Sequence, residues 1–132
     1  MATNTLTNIY SDLDLTFAPQ PVTGDVSLVL DSRAVISSVR NLLLTNFYER
    51  LWQPGLGSNM TALLFEPMTG ITATSISREI SDVINNFEPR VNLNEVNVTS
   101  DEINNGYNVS LSFFIGNNVQ ATQITVFLER VR

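Results

Sequence analysis

Apolar residues recur at helical spacing in the first two thirds of the chain and alternate with polar ones in the last third. Val35, Ile36, Val39, Leu42 and Leu43 fall at offsets 1, 4, 7 and 8 from Val35, the stripe of a helix lying on a core. Asp31 is placed to cap that helix, which should end near Thr45 or Asn46. Asn59 is placed to cap a short helix through Ala62, Leu63 and Leu64, stopped by Pro67. A second long helix is predicted from about Thr72 to Phe87, with Ala73, Ile76, Ile80, Val83, Ile84 and Phe87 on one face. Arg78 and Asp82 on its other face are spaced to pair, an exposed contact contributing about 0.3–0.5 kcal/mol.

Strands are predicted at about Leu93 to Thr99, Tyr107 to Ile115 and Gln120 to Val131. In the middle one Tyr107, Val109, Leu111, Phe113 and Ile115 alternate with polar residues. Asn105-Gly106 is a strong hairpin signal and Gly116-Asn117-Asn118 supplies the next turn, so the three should form an antiparallel meander. In the last strand Ile124, Val126 and Leu128 share one face while Phe127 points the other way. Near the start, Leu13, Leu15 and Phe17 alternate within Tyr10–Phe17, a short strand broken by Pro19 and Pro21; Thr23-Gly24-Asp25 marks a turn before Val26–Leu30. The fold class expected is α+β: a single domain over 1–132, with residues 1–9 a flexible lead, and two long helices and a short one packed on an antiparallel meander.

Between helix and strand stands Asn86-Phe87-Glu88-Pro89-Arg90-Val91. Proline lacks an amide hydrogen and pushes the residue before it out of helical geometry, so a helix stops at Glu88. A stop alone requires neither the acid nor the base that flank the proline. Another unexplained segment is Phe47–Gly57, rich in aromatics and closed by Pro54, Gly55 and Gly57. So much apolar area outside regular structure either packs under the domain, the reading favoured, or meets a partner.

Composition narrows the chemistry. With 132 residues and 43% of them apolar, the chain suits one domain. Only 15% are charged, the net charge is −6, and all seven basic residues are arginines, with no run that would track a phosphate backbone. Nucleic acid is therefore not an expected ligand, and no stretch is long and apolar enough for a membrane span. The polar start carries no signal pattern, so the protein is expected to be made and kept in a cytoplasm unless a larger particle carries it out. The absence of Cys and His excludes disulfides, thiolate nucleophiles, the usual structural zinc and histidine general bases; no cofactor or metal is expected. Asp12 and Asp14 form a D-x-D pair without the further ligands that hold a cation. Glycoside hydrolysis needs two carboxylates across a cleft, for which Glu49, Glu66, Asp12 and Asp14 are the candidates.

Four segments in order carry a resemblance: Tyr10-Ser11-Asp12-Leu13-Asp14; Asn41-Leu42-Leu43-Leu44-Thr45 followed by Glu49-Arg50; Leu63-Leu64-Phe65-Glu66-Pro67; and Asn86-Phe87-Glu88-Pro89-Arg90. Over almost its whole length the chain resembles the baseplate wedge and sheath-initiator family of contractile phage tails, whose relatives serve the type VI secretion baseplate. The resemblance implies a non-enzymatic virion protein of the tail baseplate, partnered by wedge proteins and tail sheath subunits. By it, Glu88, Pro89 and Arg90 are docking residues for the helical core bundle of the wedge. It also implies, together with the Pro-free pattern of the last strand, that Ile124, Val126, Phe127 and Leu128 lie at a sheet edge that pairs with sheath strands. Where family members often have Gly before the Glu-Arg pair and Pro after it, this chain has Tyr48 and Leu51. Some family labels carry the word lysozyme, so a tail-associated cell-wall hydrolase is the alternative. A cytoplasmic adaptor of the same fold is a third.

Overall fold

In the computed structural model, which describes residues 10–130, the helical stripes and the alternating segments separate into helices and sheet as their periods require. The order is β1 (Ser11–Leu13), β2 (Leu28–Leu30), α1 (Ser32–Leu44), α2 (Met60–Phe65), α3 (Gly70–Phe87), β3 (Val91–Asp101), β4 (Gly106–Ile115) and β5 (Thr122–Glu129). The class is α+β. By packing the chain divides into two units, 1–37 and 38–132.

In the first unit β1 and β2 pair antiparallel, from Ser11↔Leu30 to Leu13↔Leu28. The strand predicted over Tyr10–Phe17 ends at Leu13, because the Asp14 carboxylate accepts both the N–H and the hydroxyl of Thr16 at 2.9 Å and so turns the chain. Leu13, Leu15 and Phe17 are exposed, so their alternation marks no buried face. Asp31 stands at the head of α1: its carbonyl accepts the Val35 N–H and its carboxylate the Tyr10 N–H.

The second unit holds the sheet. β4 is central, in the order β3-β4-β5, with both pairings antiparallel. Its Tyr107, Val109, Leu111, Phe113 and Ile115 are buried, and α3 lies against β3 with Ile76, Ile80, Val83 and Ile84 turned inward. Val39, Leu42 and Leu43 of α1 are buried too. α3 starts earlier than predicted, at Gly70, since the Thr69 hydroxyl accepts the Thr72 N–H and caps it. At α2 the expected cap differs: Asn59 makes no side-chain cap, and its N–H donates to the Glu79 carboxylate of α3 at 2.8 Å. Arg78 and Asp82 form no ion pair.

β3 is longer than predicted and carries a bulge between Leu93 and Glu95. Asn94 is the extra residue: Leu93 opposes Phe113, Glu95 opposes Ser112 and Val96 opposes Leu111. Side chains in a strand alternate, so Leu93 and Val96, three apart, share the inward face only because one residue between them is left out of the ladder. The β3–β4 connection is a loop of Glu102–Asn105 rather than the two-residue turn predicted at Asn105-Gly106. Asn105 takes the left-handed conformation, φ 52°, while Gly106 already pairs with Asp101. A β-carbon on Gly106 would lie 2.5 Å from the Phe127 ring and from the Leu128 carbonyl, so glycine here makes room for a neighbour. Within β5, the predicted residue Gln120 lies outside the strand, and Val131 lies outside the described residues.

The bulge yields a paired prediction. Deleting Asn94 keeps every inward residue of β3 inward and should lower the urea midpoint only slightly. Deleting Asn97 turns Val98 to the outer face and should lower it much more. Equal losses for the two deletions would show that the bulge does not set the register.

Candidate docking surfaces

Glu88 closes α3: its N–H donates to the Ile84 carbonyl at 2.9 Å, and with Pro89 next it leaves helical geometry at φ −125°, ψ 80°. The residue is only 3% exposed. Three donors converge on the carboxylate: Arg90 Nε on Oε1 at 2.6 Å, Arg90 Nη2 on Oε2 at 2.8 Å and the Ser38 hydroxyl of α1 on Oε2 at 2.6 Å. Burial pushes this carboxyl up, but the Arg90 hydrogen bonds, the Ser38 hydroxyl and the Arg90 charge together outweigh it and hold it below the usual range. Backbone bonds continue the joint, from Val91 N–H to the Glu88 carbonyl and from Gly116 N–H to the Arg90 carbonyl.

The acid and base that a helix stop seemed not to require thus have a structural duty. Rather than standing side by side toward solvent, the Arg90 fork closes on Glu88. What remains outward is Pro89, which is exposed, and the part of the Arg90 side chain that is 30% accessible. Ser38, fifty residues away in sequence, completes the cluster.

Among the described residues β5 pairs only with β4, at the sheet edge. Ile124, Val126 and Leu128 are buried and Phe127 is 42% exposed, its ring against Gly106. The Arg130 N–H donates to the Asn105 carbonyl, which sets the phase of the ladder. Alternate residues of an antiparallel pair turn their N–H and C=O toward the partner, so Leu128, Val126 and Ile124 bond to β4 while Phe127 and Thr125 aim theirs at the open edge. Of the four residues assigned to strand pairing, only Phe127 therefore offers backbone groups outward.

The segment 46–57 does not pack under the domain. Tyr48, Leu51 and Trp52 are 83%, 91% and 94% exposed. The loop is nevertheless tied at its base. Glu49 accepts the Asn46 N–H at 2.9 Å and its Nδ2 at 2.8 Å, Thr61 donates to the Asn46 side chain, and the Tyr48 N–H donates to the Pro54 carbonyl at 2.9 Å. Ser58 bonds back to Thr45 and Leu43, and at Gly57 (φ 153°) a β-carbon would lie 2.7 Å from the Asn46 backbone, so only glycine lets the strands of the loop close.

The four candidate acids stand on separate parts of the chain. Asp12 and Asp14 lie in the first unit, Glu49 in the loop and Glu66 at the C-cap of α2. Asn46 holds the Glu49 carboxyl below its ordinary range, through its side chain first and its N–H second, the opposite of what a general acid requires. Among the described residues no group of three His, Cys, Asp or Glu is placed to hold a metal ion.

Residues 30–123 match the family described as baseplate wedge protein gp25. Over 93 residues the chain is 32% identical to baseplate wedge protein gp25 of Enterobacteria phage T4, covering 70% of each. Among solved structures it is similar to a component of the anti-feeding prophage baseplate, at a TM-score of 0.65 and 23% identity over 93% of this chain and 87% of that one. It is also similar to a Geobacter sulfurreducens candidate tail lysozyme, at 0.73 and 19% over 80% of this chain and 98% of that one. At such identities the two structures share its fold.

The Glu88 cluster predicts an acid-sensitive joint. Glu88→Gln should cost roughly 1.5–3 kcal/mol near neutral pH, as loss of a charge-assisted, largely buried contact does. Because the folded carboxyl sits below its unfolded value, the stability it contributes is present above the ordinary carboxylate range and is lost as pH falls through the folded pKa. Urea midpoints of the two proteins should therefore converge in acid. A difference that stays constant from pH 7 to pH 3 would contradict the assignment.

Proposed function

Since this chain belongs to the baseplate wedge protein gp25 family, we propose that it is a non-enzymatic structural protein of a contractile-tail baseplate, assembled in the host cytoplasm, that docks on the wedge core bundle and initiates the sheath. The observation that carries this reading is the family match, which spans α1 to β4 and includes Glu88, Pro89 and Arg90. In this reading Pro89 and the outer part of Arg90 touch the bundle, and Glu88 positions Arg90 from behind by gripping two of its nitrogens. Arg90→Ala then has two effects, since the docking contact and the clamp on a buried carboxylate go together. Pro89→Ala separates them, because the proline ring makes no hydrogen bond to the fold.

The sheath role rests on β5 itself, most of which lies beyond the matched residues. A straight, Pro-free edge strand offers N–H and C=O groups to an incoming strand, and its buried partner residues fix it in register. A substitution at Phe127 also uncovers Gly106, so the cleaner probe is a residue whose backbone alone faces the edge.

The hydrolase reading has one observation in its favour, the fold shared with a candidate tail lysozyme. Fold does not carry chemistry, and the Glu49 carboxyl, held below its ordinary range by Asn46, is not poised as a general acid. A turbidity assay on purified peptidoglycan should show no clearing; clearing abolished by Glu49→Gln or Glu66→Gln would reverse the conclusion.

Proline at Thr125 removes one outward donor and no bond to β4, so Thr125→Pro should fold with a near-normal melting temperature and join baseplates. Those baseplates should fail to nucleate sheath in electron micrographs. Full-length sheath on them would refute the pairing role of β5.

A further inference from the structure

The loop 46–57 is built to be exposed. Its base is closed by Asn46, Glu49 and Gly57, and Tyr48 is held in the left-handed conformation at φ 69°, a strained state for a side chain of that size that persists only where the surroundings enforce it. Glu49 through Gln53 form a concavity of about 530 Å3 beside the protruding Trp52. Trp, Tyr and Arg are the residue types that dominate the energetics of protein contacts, and all three stand on this loop.

Charge and area say what covers it. The Glu49 carboxylate is already satisfied by Asn46, whereas the Arg50 guanidinium has no ion pair among the described residues, so the loop presents a cation amid apolar side chains. The complement is an apolar cleft bordered by a carboxylate. A second copy of this chain is disfavoured twice: copies at −6 repel, and the exposed side chains bury roughly 500 Å2, taking about 150–250 Å2 for each aromatic, against about 800 Å2 per partner in a stable interface. An anchor of that size holds only a neighbour already brought close by another contact.

We infer that the Tyr48–Trp52 tip is an auxiliary docking anchor that inserts into a carboxylate-bordered apolar cleft on another protein of the same assembly, with Trp52 in the cleft and Arg50 paired to the carboxylate. The inference rests on the baseplate reading for the assembly concerned. Trp52 is the only tryptophan of the chain, which makes it a reporter. Labelled biosynthetically as 5-hydroxytryptophan, it is excited apart from the tryptophans of other proteins, and acrylamide quenching is measured on the chain alone and in wedges reconstituted with the proteins encoded beside it.

The expected result is ready quenching of the free chain at every concentration and at least a fivefold drop in quenching inside the wedge. Arg50→Glu, with an unchanged melting temperature, should dissociate from the wedge at least tenfold faster than the unaltered chain. Quenching that is the same in the wedge as outside it overturns the anchor while leaving the baseplate reading standing, as does an unaltered dissociation rate of Arg50→Glu. Protection that appears in the free chain as its concentration rises identifies a second copy as the occupant and overturns the assigned partner. A chain that never enters the wedge overturns the baseplate reading, and the anchor with it.

Discussion

A carboxylate almost excluded from water must be given donors or it takes up a proton, and Glu88 is given three. Two come from Arg90 and one from Ser38, and the joint meets several demands of the fold at once. Ser38 ties in α1, the Glu88 N–H ends α3 on the Ile84 carbonyl, and Arg90 leads into β3 while its carbonyl receives Gly116 from the far end of β4. The cluster replaces what a glycine C-cap would do with a joint that also holds direction. A helix ended by proline alone could leave at many angles; one in which the side chains on either side of the proline clamp each other leaves at one.

The same joint explains why the helix stop was legible and its purpose was not. Proline acts on its own neighbours, so the end of α3 at Phe87 follows from local sequence. The Ser38 hydroxyl arrives across fifty residues of separation, and no spacing announces it. Likewise the stripes of α1 and α3 and the alternation of β4 were readable because period reports burial directly. The bulge at Asn94 had a signal, the odd interval between Leu93 and Val96, which breaks alternation without ending the strand. β1 was read too long because apolar alternation outweighed Asp14-x-Thr16, the pattern of a side chain that turns the backbone.

The loop 46–57 reversed the ordinary expectation that aromatic residues seek cover. Composition argued for burial, but geometry decided otherwise once Asn46 was committed to Glu49 and Thr61 and the backbone passed within touching distance at Gly57. Asn46-x-x-Glu49 was the readable sign, a residue pair at the spacing of a closed turn. Tertiary closure of this kind ranks above hydropathy because it uses up the backbone freedom that inward rotation of Tyr48, Leu51 and Trp52 would need.

The two borders of the sheet are unlike. β3 is interrupted by Asn94, and a bulged border twists away from an incoming strand, whereas β5 runs regularly from Thr122 to Glu129. A sheet blunted on one side and regular on the other has unequal borders for an added strand. The backbone is thus asymmetric, with a front and a back set apart by one inserted asparagine.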